Sequence, residues 1–526
     1  MNSKTWTRII ALALFAAMTI SVQLAAQDKP EHHRKLHHYQ LVDLGSTFGG
    51  PGSYFNPGSG NDFSQFTSVL NSKGIVAGFA DTSVSDPFPN FYFWDCCVVA
   101  HAFRAGRNGI LTDLGALPGG GSSAPLWISE NGLIAGVSEN GETDPLYSGL
   151  PEFHAVLWQQ GEITDLGTLP EGGYQSEANA VNTSGQVVGA ALNTIPDTNS
   201  MQAGTFWLWG GAGGITPPYQ YQTRAFLWDR EGGMQDLGTL PGGADAQAIL
   251  INEPGQVVGY SYTGSSPTTG CPTGFLATGS FIWDKKNGMK DIGNLGGTCT
   301  IATNLNNRGQ VIGLSNLTGD QLQHAFLWDK QHKIQDLGGS LGGDYTGAFA
   351  LNDEGQAAGY AYFAGDTLFH AALWKHVGNM TDLGSLGSDS CSNATGINAD
   401  GQVVGGSLPD CNGDKSRAFL WEDGSIFDLN ALIPPGSPLY LRNIFTINDH
   451  GEIAGEGVDN NGNGHAFLLI PCDENHPGVE GCDYSLVDAA AAQSAAPRYG
   501  PSGTERPFQS RRTNRYHIPG PQLLGR

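Results

Sequence analysis

Positive charge is scarce in this chain of 526 residues: 26 lysines and arginines stand against 50 aspartates and glutamates, a formal net charge of −24. An acidic surface of that size repels phosphate backbones and anionic lipid headgroups, so nucleic acid is excluded as a partner. Long apolar runs are missing too. The stretch from Ile9 to about Val22 is too short for a comfortable membrane span. Helix signatures are nearly absent, and so are common enzyme marks. There is no His-Glu-x-x-His, no phosphate-cradling Gly-Lys-Ser or Gly-Lys-Thr, and no dinucleotide fingerprint between a strand and a helix.

What the chain has instead is one phrase written eight times. It reads roughly His-Ala-Phe-Leu-Trp, a turn, Asp-Leu-Gly-x-Leu-x-Gly-Gly, x-Ala-x-x-Ile-Asn-x-x-Gly-Gln-Val-Val-Gly. The Asp of Asp-Leu-Gly falls at Asp43, Asp113, Asp165, Asp236, Asp291, Asp336, Asp382 and Asp428. The last Gly of Asn-x-x-Gly falls at Gly74, Gly132, Gly185, Gly255, Gly309, Gly355, Gly401 and Gly451. The C-terminal copies recur at about 45 residues, the range of propeller blades and other repeat arrays.

Each copy divides into four short strands: Ala-Phe-Leu-Trp, the strand leading into Asp-Leu-Gly, Ala-x-x-Ile-Asn, and Gln-Val-Val-Gly. Asn-x-x-Gly suits a tight hairpin in which Gly takes a left-handed conformation. Radial repetition of four-stranded antiparallel units is a β-propeller, and 76 glycines fit a chain that turns every few residues. The phase points the same way. The repeats open in mid-cycle at Tyr39-Gln-Leu-Val-Asp-Leu-Gly45 and stop in mid-cycle at His465-Ala-Phe-Leu-Leu-Ile470. Pairing those two strands closes a ring, so the fold expected is an all-β, eight-bladed propeller over residues 39–470.

Two appendages flank it. Lys4 and Arg8, an apolar run, and small residues at Ala25 and Ala26 have the layout of a secretory signal peptide over 1–26, followed by a linker over 27–38. Loss of Lys4 and Arg8 takes the net charge from −24 to −26. Beyond a Cys-containing segment at 471–482, residues 483–526 carry Arg498, Arg506, Arg511, Arg512, Arg515 and Arg526 without apolar periodicity, the composition of a disordered basic tail.

An exported chain with eight cysteines invites pairing. Alternating strand direction puts the loop after Asp-Leu-Gly and the loop before His-Ala-Phe on one rim. Cys271 with Cys299 and Cys391 with Cys411 are therefore plausible pairs, and Cys472 with Cys482 would staple the chain after ring closure. Cys96 and Cys97 are adjacent and stay ambiguous. That rim also takes the insertions at 81–99, 139–153, 192–223 and 263–278, which makes it the expected recognition surface.

The repeat resembles the HAF family of extracellular repeats, on His101-Ala-Phe103, His324-Ala-Phe326 and His465-Ala-Phe467 with the companion Asp-Leu-Gly element. The resemblance spans nearly all of 39–470. Arg224 and Arg417 replace the His, Ser280-Phe281 breaks the triplet, and Asp428-Leu-Asn-Ala loses the Gly. It implies a secreted bacterial repeat protein and names no activity.

The recurring His and Asp are expected to be structural, since an active site needs unlike groups converging at one place. Gly338-Gly-Ser-Leu-Gly342 matches a nucleophile elbow only by coincidence of the repeat. One cofactor candidate is calcium at Asp459, Asn461 and Asn463, whose loop opens like an EF-hand but has Ile470 where the closing Glu belongs. Asp410-Cys-Asn-Gly-Asp414 is weaker, with Lys415 in place of Gly. Three functions stay open. One is a monomeric binding or scaffolding module for an extracellular protein or polysaccharide. Another is a carbohydrate-active propeller enzyme, a lyase or glycoside hydrolase, with Phe91, Trp94, Tyr147, Tyr219 and Tyr221 stacking on sugars. The third is a structural surface or matrix protein.

Overall fold

The computed structural model describes residues 35–45, 48–55, 68–87, 98–145, 151–197, 221–267, 271, 276–339, 341–411, 416–488 and 492–493. The signal-peptide expectation, Cys96 and Cys97, the aromatics Phe91, Trp94, Tyr147 and Tyr219, and nearly all of the basic tail lie outside them.

The described chain is almost entirely strand, with a single 3-10 turn at Leu429–Ala431 among its named elements. Strands assemble in sequence order into antiparallel sets of four. Ser123–Ile128, Ile134–Thr143, Pro151–Gln159 and Glu162–Asp165 make one such sheet. Five four-stranded sheets stand apart. The other twelve repeat strands form one sheet in which three such sets are joined by the parallel contacts Thr278↔Cys299 and Gln323↔Tyr345. Each set begins at Ala-x-x-Ile-Asn, passes through Gln-Val-Val-Gly and His-Ala-Phe-Leu-Trp, and ends at Asp-Leu-Gly. The sheet boundary therefore falls after Asp-Leu-Gly, so the loop before His-Ala-Phe lies within a set.

The last set departs from this order in one respect. Tyr440–Ile447, Ile453–Val458 and Gly464–Pro471 take their fourth strand from the other end of the chain, Tyr39–Asp43, in register from Tyr39↔Pro471 to Asp43↔Phe467. Lys35–His37 and Leu486–Asp488, read from sequence as linker and tail, pair with each other instead. Burial explains it: Leu36 is in the apolar cluster of the last two sets and Val487 packs against it.

The hydrophobic core lies between neighbouring sets. One cluster joins Leu133, Ala155 and Leu157 to Val181, Val187 and Phe226 of the next set, and another joins Leu373 to Val403 and Phe419. Two glycines per repeat make this possible. The hairpin Gly has positive φ, 75° at Gly309 and 83° at Gly355, where a side chain is strained. The Gly of Gln-Val-Val-Gly lies beside a bulge in the first strand. A Cβ at Gly313 would meet the Ile301 carbonyl oxygen at 2.1 Å and the Phe326 ring at 2.9 Å. The Phe of His-Ala-Phe fills the space that this Gly leaves.

The hairpin Asn does more than turn the chain. Asn306 Oδ1 accepts the N–H of Arg308 (3.1 Å) and Gln310 (2.9 Å), while Nδ2 donates to Gln310 Oε1 (2.8 Å) and to the Asn352 carbonyl of the next set (3.0 Å). All four bonds that an amide can make are used. The same inter-set bond runs from Asn182 to Asn252, Asn252 to Asn306, Asn352 to Asn398 and Asn398 to Asn448. Where the copy reads Ser129-Glu-Asn-Gly, Asn131 Nδ2 reaches the Thr183 carbonyl at 2.8 Å. Asn71 donates to Ser129 O, and Asn448 of the last set donates to Asn71 O of the first at 3.0 Å.

Replacing Asn306 by Asp keeps the shape and removes both donors, leaving a buried carbonyl and a buried amide oxygen facing a carboxylate. Asn306→Asp is expected to lower unfolding free energy by about 2–4 kcal/mol, measured as a shift in urea midpoint. A change within error would remove the Asn from its linking role.

Candidate functional site

The recurring His and Asp meet on the outer part of each set. His324 Nδ1 faces both oxygens of Asp336 at 2.9 Å, and His154 faces Asp165 and His370 faces Asp382 in the same way. Asp336 Oδ1 also accepts the N–H of Gly338 (2.6 Å), which closes the turn after Asp-Leu-Gly. The Asp thus satisfies a backbone donor, and the His reaches that carboxylate rather than the backbone. The two Arg departures from the motif keep the clip, and the Ser departure does not. Arg224 Nε donates to Asp236 (2.8 Å). Arg417, 2% exposed, lies between Asp389 (2.8 Å) and Asp428 (3.2 Å) and also donates to the Leu386 carbonyl. Ser280 instead donates to the Thr300 carbonyl and accepts from Ala302 N–H.

Burial pulls the Asp165, Asp336 and Asp382 carboxyls up, but bonds from His and Gly outweigh it and hold each below the usual value of 3.8. At the junction of the chain ends, the bond from Asp43 (2.9 Å) raises His465 above 6.5 against the opposing effect of burial.

The calcium candidate folds on itself. Asp459 Oδ1 accepts the N–H of Asn461 and of Asn463, both at 2.8 Å, and Oδ2 accepts their side-chain amides at 3.2 and 3.0 Å. Both carboxylate oxygens face N–H donors, a pattern that locks a hairpin and does not fit the oxygen shell calcium needs. Burial raises the Asp459 carboxyl, and these bonds more than offset it, leaving it lowered.

Three disulfides join Cys271 to Cys299, Cys391 to Cys411 and Cys472 to Cys482. The first two pin the loop end that carries the insertions. There the second strands run long, as in Ile134–Thr143 and Val257–Pro267 against Val311–Leu317 and Val403–Leu408, so the described ends of these insertions continue the strands of their hairpins. Carboxylates at this end are engaged set by set. Glu139 accepts from Gly121 and Ser122 N–H, Asp320 from Thr298 N–H and Asp366 from Asp344 N–H. Of the sugar-stacking candidates, Tyr221 is half-buried at the start of its strand. A described aromatic cluster lies at this same end in another set: Tyr345, Tyr360, Tyr362 and Phe369 pack on one another, Tyr362 to Phe369 at 5.0 Å.

At the opposite end lies a cavity of about 190 Å³ that sequence reasoning missed. The hairpins of the last two sets supply Asp400, Gln402, Asp449 and His450, the strand Tyr39–Asp43 supplies Tyr39, and the segments flanking the repeats supply His37, Asp473 and Asn475. Gln402 Nε2 donates to Glu422 Oε2 (2.8 Å), which stands where other copies carry a turn-capping Asp such as Asp284 or Asp329. That substitution was the visible signal. His37, Asp473 and Asn475 come from outside the repeats, where periodicity says nothing. The far wall is tied down by Tyr39 N–H to Leu432 O and Cys472 N–H to His38 O, both at 2.8 Å.

No family model matches the chain, and no curated protein matches it. Solved structures similar to it include the β-propeller domain of the trilobed protease from Pyrococcus furiosus, at TM-score 0.40 and 10% identity over 69% of this chain and 96% of that one. The acylaminoacyl peptidase from Pyrococcus horikoshii gives TM-score 0.39 and 10% identity over 76% of this chain and 59% of that one. TolB from Acinetobacter baumannii gives 0.30 and 11% over 83% and 97%. These are loose likenesses of form. No helix among the described residues is long and apolar enough to cross a membrane.

The raised His465 sets a pH dependence. Its contribution to stability is full below pH 6.5, its unfolded value, and is lost as pH rises through the higher folded value. Between about pH 6 and 9, the thermal midpoint should therefore fall, and His465→Gln should flatten that slope. An unchanged slope in the variant would contradict the assignment.

Proposed function

We propose that this protein is an exported, monomeric eight-bladed β-propeller, its ring closed by the terminal strands, which serves as a binding or scaffolding module. Closure is supported by the strand pairing that completes the last set and by three kinds of contact between the first and last sets. Tyr39–Asp43 pairs with Gly464–Pro471, Asn448 donates to Asn71 O, Ala466 N–H donates to Ser53 Oγ (3.1 Å), and Arg107 pairs with the buried Glu452. Ala325 N–H to Thr346 and Ala371 N–H to Ser392 repeat the Ala466 contact inside the array. Export accords with the three disulfides, with the signal-peptide layout and with the resemblance to HAF repeats.

The observation that carries the binding reading is the use made of the polar repeat. His, Asp and Asn of each copy are committed to holding sheets together. What varies from set to set is the extended-hairpin end, pinned by Cys271–Cys299 and Cys391–Cys411. Rigid scaffolds that vary only in loops at one end are built for recognition, and an acidic propeller suits an extracellular protein or polysaccharide.

The test is to present soluble neutral and acidic polysaccharides to the immobilised mature chain and to assay the same mixtures for new reducing ends and unsaturated sugar products. Saturable retention without product is expected for a polysaccharide-binding module. Retention of none would assign the ligand to the protein class, and product release would replace the module with a carbohydrate-active enzyme.

A further inference from the structure

The cavity at the short-loop end has a composition that the repeat does not explain. Four carboxylates line it, Asp400, Glu422, Asp449 and Asp473, and its lining includes no lysine or arginine. Every hydrogen bond that Asp449 and Asp473 make to described residues falls on Oδ1: Ala399 N–H to Asp449 (2.8 Å), and the N–H groups of Asn475 and His476 with the His476 ring to Asp473.

A second feature is independent of this charge. Tyr39 lines the cavity while only 4% exposed, and its hydroxyl bonds to no described residue, although its backbone N–H is engaged by Leu432 O. Burial, with Glu422 and Asp473 nearby, raises this phenol far above its usual range, so it stays protonated. A buried donor without a protein partner is costly unless something else meets it. A protonated phenol beside carboxylates offers an oxygen lone pair to a cation.

We propose that this cavity is a binding site for a guanidinium or alkylammonium group, the head of an arginine or lysine side chain. Asp400, Glu422, Asp449 and Asp473 supply the countercharge, and Tyr39 forms the wall. About 190 Å³ is the liquid volume of roughly six waters, enough for such a head and part of its stem. Two sources carry this chemistry. One is a basic segment of a partner. The other is the chain's own arginines from Arg498 to Arg526, which follow the strand Leu486–Asp488 paired beside Leu36 and His37 of the cavity wall. The inference names a ligand for one site of the proposed module and is independent of what the long-loop end binds.

The experiment is calorimetric titration of the full mature chain with N-acetyl-arginine methylamide, with the neutral citrulline analogue as control. Saturable, salt-sensitive binding of the arginine probe alone is expected. It should be weakened at least about tenfold by the pair Asp400→Asn and Asp449→Asn and less by Tyr39→Phe, with the thermal midpoint unchanged. A chain with Arg498, Arg506, Arg511, Arg512, Arg515 and Arg526 changed to Gln separates the sources. Tighter probe binding in that chain identifies the tail as the resident cation, and equal binding identifies a partner. Absence of binding in both chains, equal binding of citrulline, or indifference to the Asn pair would overturn the proposal. Polysaccharide retention at the other end reports separately, so the failure of either reading is visible by itself.

Discussion

The structure depends on one amide. Each hairpin Asn holds its own turn with the oxygen and reaches the neighbouring set with the nitrogen, so the device that ends one strand also fixes where the next sheet lies. A buried amide with all its bonds made adds stability, and one left half-made costs more than it gave. That asymmetry forces agreement between neighbours. A hairpin out of place by one residue loses both the local and the inter-set bond. The copy that reads Ser-Glu-Asn-Gly shows the constraint at work, because the donor moves two residues along to Asn131 and still finds the next carbonyl.

A second clip works farther out, where the third strand places a hydrogen-bond donor against the Asp that closes the fourth strand's turn. His and Arg are exchangeable here because the requirement is a donor to carboxylate and not a particular pKa. Arg417 takes the role to its limit, a buried guanidinium shared by two aspartates. Loss of one partner from such a buried set is expensive. The two clips together explain why residues that look like chemistry recur without forming an active centre: each is spent once per sheet, at the same place.

Periodicity made most of this legible. The count and order of strands, the hairpin at Asn-x-x-Gly, the pairing of Tyr39–Asp43 with Gly464–Pro471 and the disulfides Cys271–Cys299 and Cys391–Cys411 all follow from copies that can be compared with one another. The grouping of strands into sheets was read with the wrong boundary, because a repeat has no beginning on paper and the sheet starts at Ala-x-x-Ile-Asn. The strands at 35–37 and 486–488 were missed because pairs of three residues carry no pattern. They form because Leu36 can be buried. The Asp459 loop is ambiguous on paper for a different reason. Oxygen-bearing residues at alternate positions suit both a cation and a self-capped hairpin, and only the direction of the N–H groups separates them. The acidic cavity was not read from the sequence because repeat hairpins supply only part of its wall, and His37, Asp473 and Asn475 come from the non-repeating ends.

The central claim is that the first and last sets are neighbours in the same sense as any other two. Spin labels at Lys73→Cys and His450→Cys occupy the hairpin positions equivalent to Arg308→Cys and Glu354→Cys in adjacent sets. Pulsed dipolar distance measurement on the two pairs tests the claim most directly. A closed ring predicts superimposable distance distributions, and a longer, broader distribution for the 73–450 pair would show an open array.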